Sequence, residues 1–203
     1  MKYVVITTSL IEFLYKLRKE QYIKCITQTI KLFKPLGYKI VILENNGNIN
    51  TFLNDFGEDV LYTNTNNTCH LTNIGYKELT DIRIFLDKYN VQDTDFIVKV
   101  TGRYFILDNS SFISSLKKSD YEAIFTYGNG NTLIGAAACG LIGLSGKWFR
   151  QVELPIDNTY SVEGCYGICC MKIQNTTSNY KNLTMLGILQ APSYYGMDNY
   201  VLI

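Results

Sequence analysis

The chain has 203 residues, 47 % of them hydrophobic and 18 % charged, with a formal net charge of +1. That balance is globular: too apolar and too weakly charged for a disordered chain, and without the basic stripe that a general grip on nucleic acid requires. One domain is expected at this length, and no segment holds the roughly 18 uninterrupted apolar residues of a membrane span.

The opening stretch MKYVVITTSLIEF has one basic residue ahead of a short apolar run and no small-residue cleavage pattern, so no secretory signal is expected. The chain therefore reads as soluble and cytoplasmic. Its cysteines at 25, 69, 139, 165, 169 and 170 lack the paired C-x2-C spacing of a zinc site and read as reduced thiols.

KYVVITT is short and β-branched, the pattern of a buried first strand. From 11 to 34 the apolar positions 11, 14, 15, 22, 23, 26, 30 and 33 mark one helical face, which Pro35 and Gly37 stop. YKIVILENNG gives a second strand ending in a polar turn, FLNDF a short helix, and DVLYTNT a third strand running into an Asn-rich loop. Ile74, Leu79, Ile82, Phe85 and Leu86 predict a helix over 73–89; Asp93-Thr94-Asp95 is a turn, and FIVKV the fourth strand. Strands alternating with helices at this spacing predict an α/β domain with a mostly parallel central sheet flanked by helices. Beyond Tyr104 the pattern changes. EAIFTYG and LIGAAACGLIGLSG are strand-like and glycine-containing, and helical signal returns only near Glu163 to Lys172, which suits a mixed sheet whose later loops close over a ligand.

An open α/β sheet binds ligands outside the carboxyl ends of its strands. That rule selects Thr7, Thr8 and Ser9; Glu44, Asn45 and Asn46; the segment 64–77; and Thr101, Gly102, Arg103 and Tyr104. Arg103 offers a planar fork of donors suited to an anionic oxygen pair, beside a hydroxyl at Thr101 and a glycine that admits close approach at Gly102. A plain turn with a surface ion pair is the alternative. Lys99 shares a strand face with Ile97 and Thr101, so it must find a partner: a ligand, or a carboxylate such as Glu78 or Glu44. Asn73, with Gly75 and Lys77 one turn on, matches an anion seat at a helix start, and equally a plain N-cap. Asp93 and Asp95 would suit a metal but lie at the wrong end of strand four, and His70 has no partner spacing. Glu163, near a helix start, fits either a general base or a residue complementing the helix dipole. Residues 187–196 either fold back as a lid or end the domain.

The Thr7-Thr8-Ser9 end, the Glu44-Asn45-Asn46 turn, Asn73-x-Gly75-x-Lys77-Glu78 and, above all, Ile97-Val-Lys-Val-Thr-Gly-Arg-Tyr104 together resemble small GT-A-fold glycosyltransferases. These are the kind encoded in large DNA viruses and bacterial polysaccharide clusters. The likeness is clear over the first half and loose over the second. It implies one GT-A-like domain, with 1–104 as the nucleotide-binding half and 105–203 as the acceptor and closing half. The implied activity passes a sugar from a nucleotide-sugar, a UDP-sugar, to a hydroxyl of a glycan acceptor. Thr7, Thr8, Ser9, Glu44, Asn73, Gly75, Lys77, Thr101, Gly102 and Tyr104 would line the donor site, with Arg103 and Lys99 on the leaving diphosphate and Glu163 as base. Such enzymes place Asp-x-Asp at the end of strand four to hold a divalent metal, Mn²⁺ or Mg²⁺, whereas Thr101-Gly102-Arg103 stands here. The expectation is that Lys99, Arg103 and Lys77 take the metal's place. Rival readings are a nucleotidyltransferase that makes an activated sugar, and a sugar-nucleotide or glycan-binding module without turnover.

Overall fold

The computed structural model describes residues 1–69, 73–128, 136–154, 161–190 and 201–202. In chain order the strands are β1 (Lys2–Thr8), β2 (Lys39–Glu44), β3 (Asp59–Tyr62), β4 (Phe96–Thr101), β5 (Tyr104–Ile106), β6 (Ala123–Phe125), β7 (Leu141–Ser145), β8 (Tyr180–Asn182), β9 (Ile188–Gln190) and β10 (Val201–Leu202). The helices are α1 (Tyr15–Phe33), α2 (Thr65–Thr68), α3 (Ile74–Lys88), α4 (Ser111–Leu116), α5 (Gly146–Arg150) and α6 (Val162–Thr176).

A seven-stranded sheet runs β3-β2-β1-β4-β7-β6-β8. Its first four strands are parallel, β7 is antiparallel to both β4 and β6, and β8 runs parallel to β6. A smaller antiparallel sheet, β10-β9-β5, carries the segment just past β4. This is the mostly parallel α/β domain that the alternation predicts, with a mixed second half.

Helices cover both faces of the large sheet, which is why its strands read as near-continuous apolar runs. Period-two alternation divides β1 between two cores. Tyr3 and Val5 pack with Leu79, Phe85, Trp148 and Tyr166 under α3, α5 and α6. Val4 and Ile6 pack with Tyr22, Ile26, Phe33 and Phe112 under α1 and α4. The register sets Thr7 beside both Leu43 and Thr101, and Thr8 beside Glu44, so the polar strand ends finish level on one edge.

Two boundaries differ from expectation. The predicted helix from residue 11 starts as a tight turn, Glu12–Leu14, and becomes α-helical only at Tyr15, leaving Ile11 and Phe13 at the sheet's carboxyl edge. Of the predicted strand over 133–146, residues 133–135 lie outside the described residues, and among the rest the strand is Leu141–Ser145. Ahead of it a Cβ on Gly140 would stand 1.9 Å from the Tyr104 ring, so the chain there is shaped around that side chain rather than continuing the ladder. Asp93 and Asp95 sit at the opposite end: Asp93 pairs with Arg150 at 2.7 Å and Asp95 with the amino group of Met1. Both carboxylates are occupied by structural partners.

All six cysteines are free thiols; Cys25, Cys165, Cys169 and Cys170 are buried, and burial pushes Cys25 and Cys169 up to about 12. Cys139 is also pushed up to about 12, chiefly by burial. A thiolate-selective reagent at neutral pH should therefore modify one thiol, Cys69, quickly in the native protein and all six after denaturation. Rapid native labelling of Cys25 or Cys169 would contradict the packing described here.

Candidate functional site

Past the carboxyl ends of β1 and β4 the chain opens into a cleft of about 530 Å³. The loop after β1 forms one wall, the start of α3 and the start of α6 another, and the Thr101-to-Tyr104 turn with Cys139 and Gly140 the floor. A shallower hollow of about 610 Å³ between the end of α6 and β8 is lined by amides and hydroxyls, with Lys181 as its cation and no carboxylate. The cleft at the strand ends is the place where cations, carboxylates and hydroxyls converge.

Of the residues predicted from sequence, Thr7, Thr8, Ser9, Asn73, Gly75, Thr101, Arg103, Tyr104 and Glu163 line this cleft, as does Asn45. The Arg103 guanidinium is held below its ordinary pKa, first by burial and then by the nearby charge of Arg18. Burial pushes the Tyr104 phenol up, with Lys99 opposing. Glu163 stands in the first turn of α6 behind the Ser161 cap, and its Oε1 accepts from the Cys139 thiol at 3.4 Å. Asn73 caps α3, its side chain accepting from Gly75 N at 2.8 Å. A Cβ on Gly75 would meet Val162 at 2.4 Å, so that glycine lets α3 and α6 close on each other.

Four of the residues expected in the donor and catalytic site do not line the cleft. Lys99 is fully buried, and its ammonium spends its three donors on Glu78 Oε1 at 2.9 Å, Thr101 Oγ1 at 3.0 Å and the Cys139 carbonyl at 2.8 Å. Of the alternatives open for Lys99, the structure shows the ion pair with Glu78. Glu44 is fully buried as well, its oxygens accepting from Thr8 Oγ1, Leu10 N, Asn46 N and Asn46 Nδ2, so it braces the loops after β1 and β2. The Lys77 ammonium donates to the Asn66 carbonyl at 2.7 Å and ties α3 to the turn carrying α2. Gly102 is buried, its N–H donating to the Thr7 carbonyl, and a Cβ there would meet Thr7 O at 3.0 Å and the Tyr22 ring at 3.1 Å. Its small size admits the β1 loop and Tyr22. His70 and residues 191–196 lie outside the described residues; 188–190 form β9 against β5.

The structure adds residues the sequence did not select: Arg18 and Tyr22 from α1, Glu78 from α3, and Cys139 with Gly140 ahead of β7. Glu78 accepts from Thr7 Oγ1 and Lys99 through the same oxygen, Oε1. Burial alone would drive the Lys99 ammonium down, but the adjacent Glu78 carboxylate, with Cys139 and Tyr104 adding to it, holds the pKa above the ordinary lysine value. Asp81, buried on α3, accepts from Thr63, Thr65 and Asn45, and burial raises its carboxyl above the usual range. It fixes the ends of β2 and β3 beside the cleft.

Among the described residues no group of three or more His, Cys, Asp or Glu converges to hold a metal ion. At the end of β4, the position where GT-A enzymes carry Asp-x-Asp, the cleft presents a hydroxyl and a guanidinium, Thr101 and Arg103. Those donors do not fit a hard cation that requires oxygen anions. Of the three cations expected in its place only Arg103 lines the cleft, since Lys99 and Lys77 are engaged by protein oxygens.

No protein-family model matches the sequence, and no curated protein matches it. Solved structures do match in shape. A protein assigned as a nucleotide-diphospho-sugar transferase from Desulfovibrio desulfuricans G20 covers 90 % of this chain and 79 % of its own, with a TM-score of 0.52 at 12 % identity. The chain has the GT-A-like nucleotide-sugar transferase fold. A glycosyltransferase involved in glycosylating the major capsid of PBCV-1 aligns over 89 % of this chain and 81 % of its own, TM-score 0.51, 8 % identity. A nucleoside-diphosphate-sugar pyrophosphorylase from Vibrio cholerae RC9 aligns over 90 % and 92 %, TM-score 0.50, 10 % identity. At these identities the GT-A-like likeness is one of fold.

Breaking the buried pair tests the site's floor. Lys99→Met should cost roughly 3–5 kcal/mol in chemical denaturation, because Glu78 loses its counter-charge, and Glu78→Gln in the same chain should recover part of the loss. The folded pKa of Lys99 is raised, so the pair's contribution is complete below the ordinary lysine pKa and disappears as pH rises through the folded value. The variant should thus show a flatter alkaline limb of stability. A loss under 1 kcal/mol would mean the ammonium is not confined as described.

Proposed function

We propose that the chain is a glycosyltransferase that moves a sugar from a nucleotide-sugar, a UDP-sugar, to a hydroxyl of a glycan acceptor. The observation that carries this reading is a guanidinium and a carboxylate, Arg103 and Glu163, lining one cleft at the strand ends of a GT-A-like fold. In this reading Arg103 meets the donor diphosphate and holds the charge that grows there as the sugar's anomeric bond to phosphate breaks. Glu163 takes the proton of the attacking acceptor hydroxyl. Thr7, Thr8, Ser9 and Asn45 offer polar contacts to the nucleoside, Asn73 and Gly75 a helix N-terminus beside it, and Thr101 and Tyr104 hydroxyls near the diphosphate. Lys99 contributes from beneath, by fixing Glu78 and Thr101. The first half of the chain supplies the donor side, and the second half, with Glu163, the acceptor side.

A second reading, a nucleotidyltransferase that makes an activated sugar, is favoured by the likeness to the Vibrio cholerae pyrophosphorylase. The released product separates the two: nucleoside diphosphate for glycosyl transfer, pyrophosphate for nucleotidyl transfer. Incubation with UDP-sugars and a panel of glycan acceptors is expected to release UDP. Arg103→Ala should lower kcat about 10²–10³-fold, the usual effect of removing one charge-stabilising donor. Glu163→Gln should lower kcat while leaving the donor KM nearly unchanged. Unaltered turnover in Arg103→Ala would refute the site assignment, and pyrophosphate release would refute glycosyl transfer.

A further inference from the structure

Helix α1 brings to the cleft a second guanidinium that no strand-end rule selects. Arg18 lies one turn before Tyr22, and its Nη1 donates to the Tyr22 hydroxyl at 3.3 Å. That hydroxyl is itself pinned to the loop after β1, accepting from Ser9 N at 2.8 Å and donating to Ser9 O at 3.3 Å. The Arg18 head group is thereby held against the loop that forms the cleft wall. Its Nε is buried and finds no hydrogen-bond partner, and no described carboxylate pairs with Arg18. A buried charged donor without an acceptor is unfavourable, and the Arg18 side chain that carries it lines the cleft.

Arg103 lines the same cleft, and Tyr22 feels the charges of both guanidiniums. The charge of Arg18 helps hold Arg103 below its ordinary pKa, a mutual repulsion that an anion bound to both would relieve. Guanidinium forks match phosphate oxygens in pairs, so two forks match two linked phosphoryl groups. This inference builds on the glycosyl-transfer reading only for the nucleoside attached to that anion.

We propose that Arg18 and Arg103 together form a two-guanidinium seat for a diphosphate, one phosphoryl group to each, so that a nucleoside diphosphate binds without a divalent cation.

The test is calorimetric titration of the full chain in EDTA with UDP and, separately, with inorganic pyrophosphate. Wild type is expected to bind both, and added Mn²⁺ to change neither affinity more than twofold. Arg18→Gln, which keeps a donor for Tyr22 but removes the charge, should weaken both ligands at least tenfold. Arg18→Lys, which keeps charge without the fork, should fall between the two; it carries the test if melting shows that Arg18→Gln does not fold. Binding of UDP and pyrophosphate by Arg18→Gln within twofold of wild type, or UDP binding that needs Mn²⁺, would overturn the seat. Pyrophosphate binding lost with Arg18, in a wild type that binds no UDP or UDP-sugar, would support the seat and overturn the donor reading. Sugar transfer retained in wild type, with UDP affinity unmoved in Arg18→Gln, would overturn the seat alone.

Discussion

A single buried ammonium organises the carboxyl edge of the sheet. Lys99 stands in the middle of β4 with no exposure to solvent, and its three donors reach α3 through Glu78, its own strand end through Thr101, and the segment ahead of β7 through Cys139. An unpaired ammonium at that depth would be costly, so helix, strand and loop can take up only an arrangement that supplies all three acceptors. The cleft floor is what this arrangement leaves open. Thr7 joins the same group through Glu78, which ties the end of β1 to the end of β4.

Above that floor the charges of the cleft come from separate elements. Glu78 is neutralised from below, whereas the cleft lining takes the guanidinium of Arg103 from the turn after β4, that of Arg18 from α1, and the carboxylate of Glu163 from the first turn of α6. Two guanidiniums and a carboxylate in one cleft are the charges the proposed glycosyl transfer would use, for an anionic leaving group and for a hydroxyl losing its proton. The other buried carboxylates serve scaffolding. Glu44 gathers the loops after β1 and β2, and Asp81 gathers Asn45, Thr63 and Thr65, so the polar edge is held from behind by anions that do not line the cleft.

The parallel half was legible because a strand covered on both faces must be almost wholly apolar, as YVVI and, Lys99 apart, FIVKV are, and because α3 keeps its apolar residues at helical spacing. The carboxyl-end rule then found Thr7, Ser9, Thr101 and Arg103 without any structure. It placed Lys77 in the cleft and did not place Glu78 there, since one residue turns a helical side chain by about 100° and the sequence does not say which neighbour faces inward. Lys99 was ambiguous for a related reason: its burial was readable, but whether its partner was a ligand or Glu78 was a matter of three dimensions. Arg18 was invisible among Lys16 and Lys19 on what reads as a solvated helix face. Cys139 and Gly140 belong to an irregular segment shaped around Tyr104, where neither period of two nor of 3.6 leaves a trace.

The most direct measurement of whether this cleft receives a nucleotide-sugar is a melting-temperature screen of the intact chain against a panel of nucleotide-sugars, each with EDTA and with Mn²⁺. A ligand that binds only the folded state raises the transition by mass action, by about 2.7 kcal/mol of stability at a hundredfold excess over Kd. UDP-sugars are expected to raise it in EDTA as much as in Mn²⁺. No rise with any nucleotide-sugar under either condition would contradict the account.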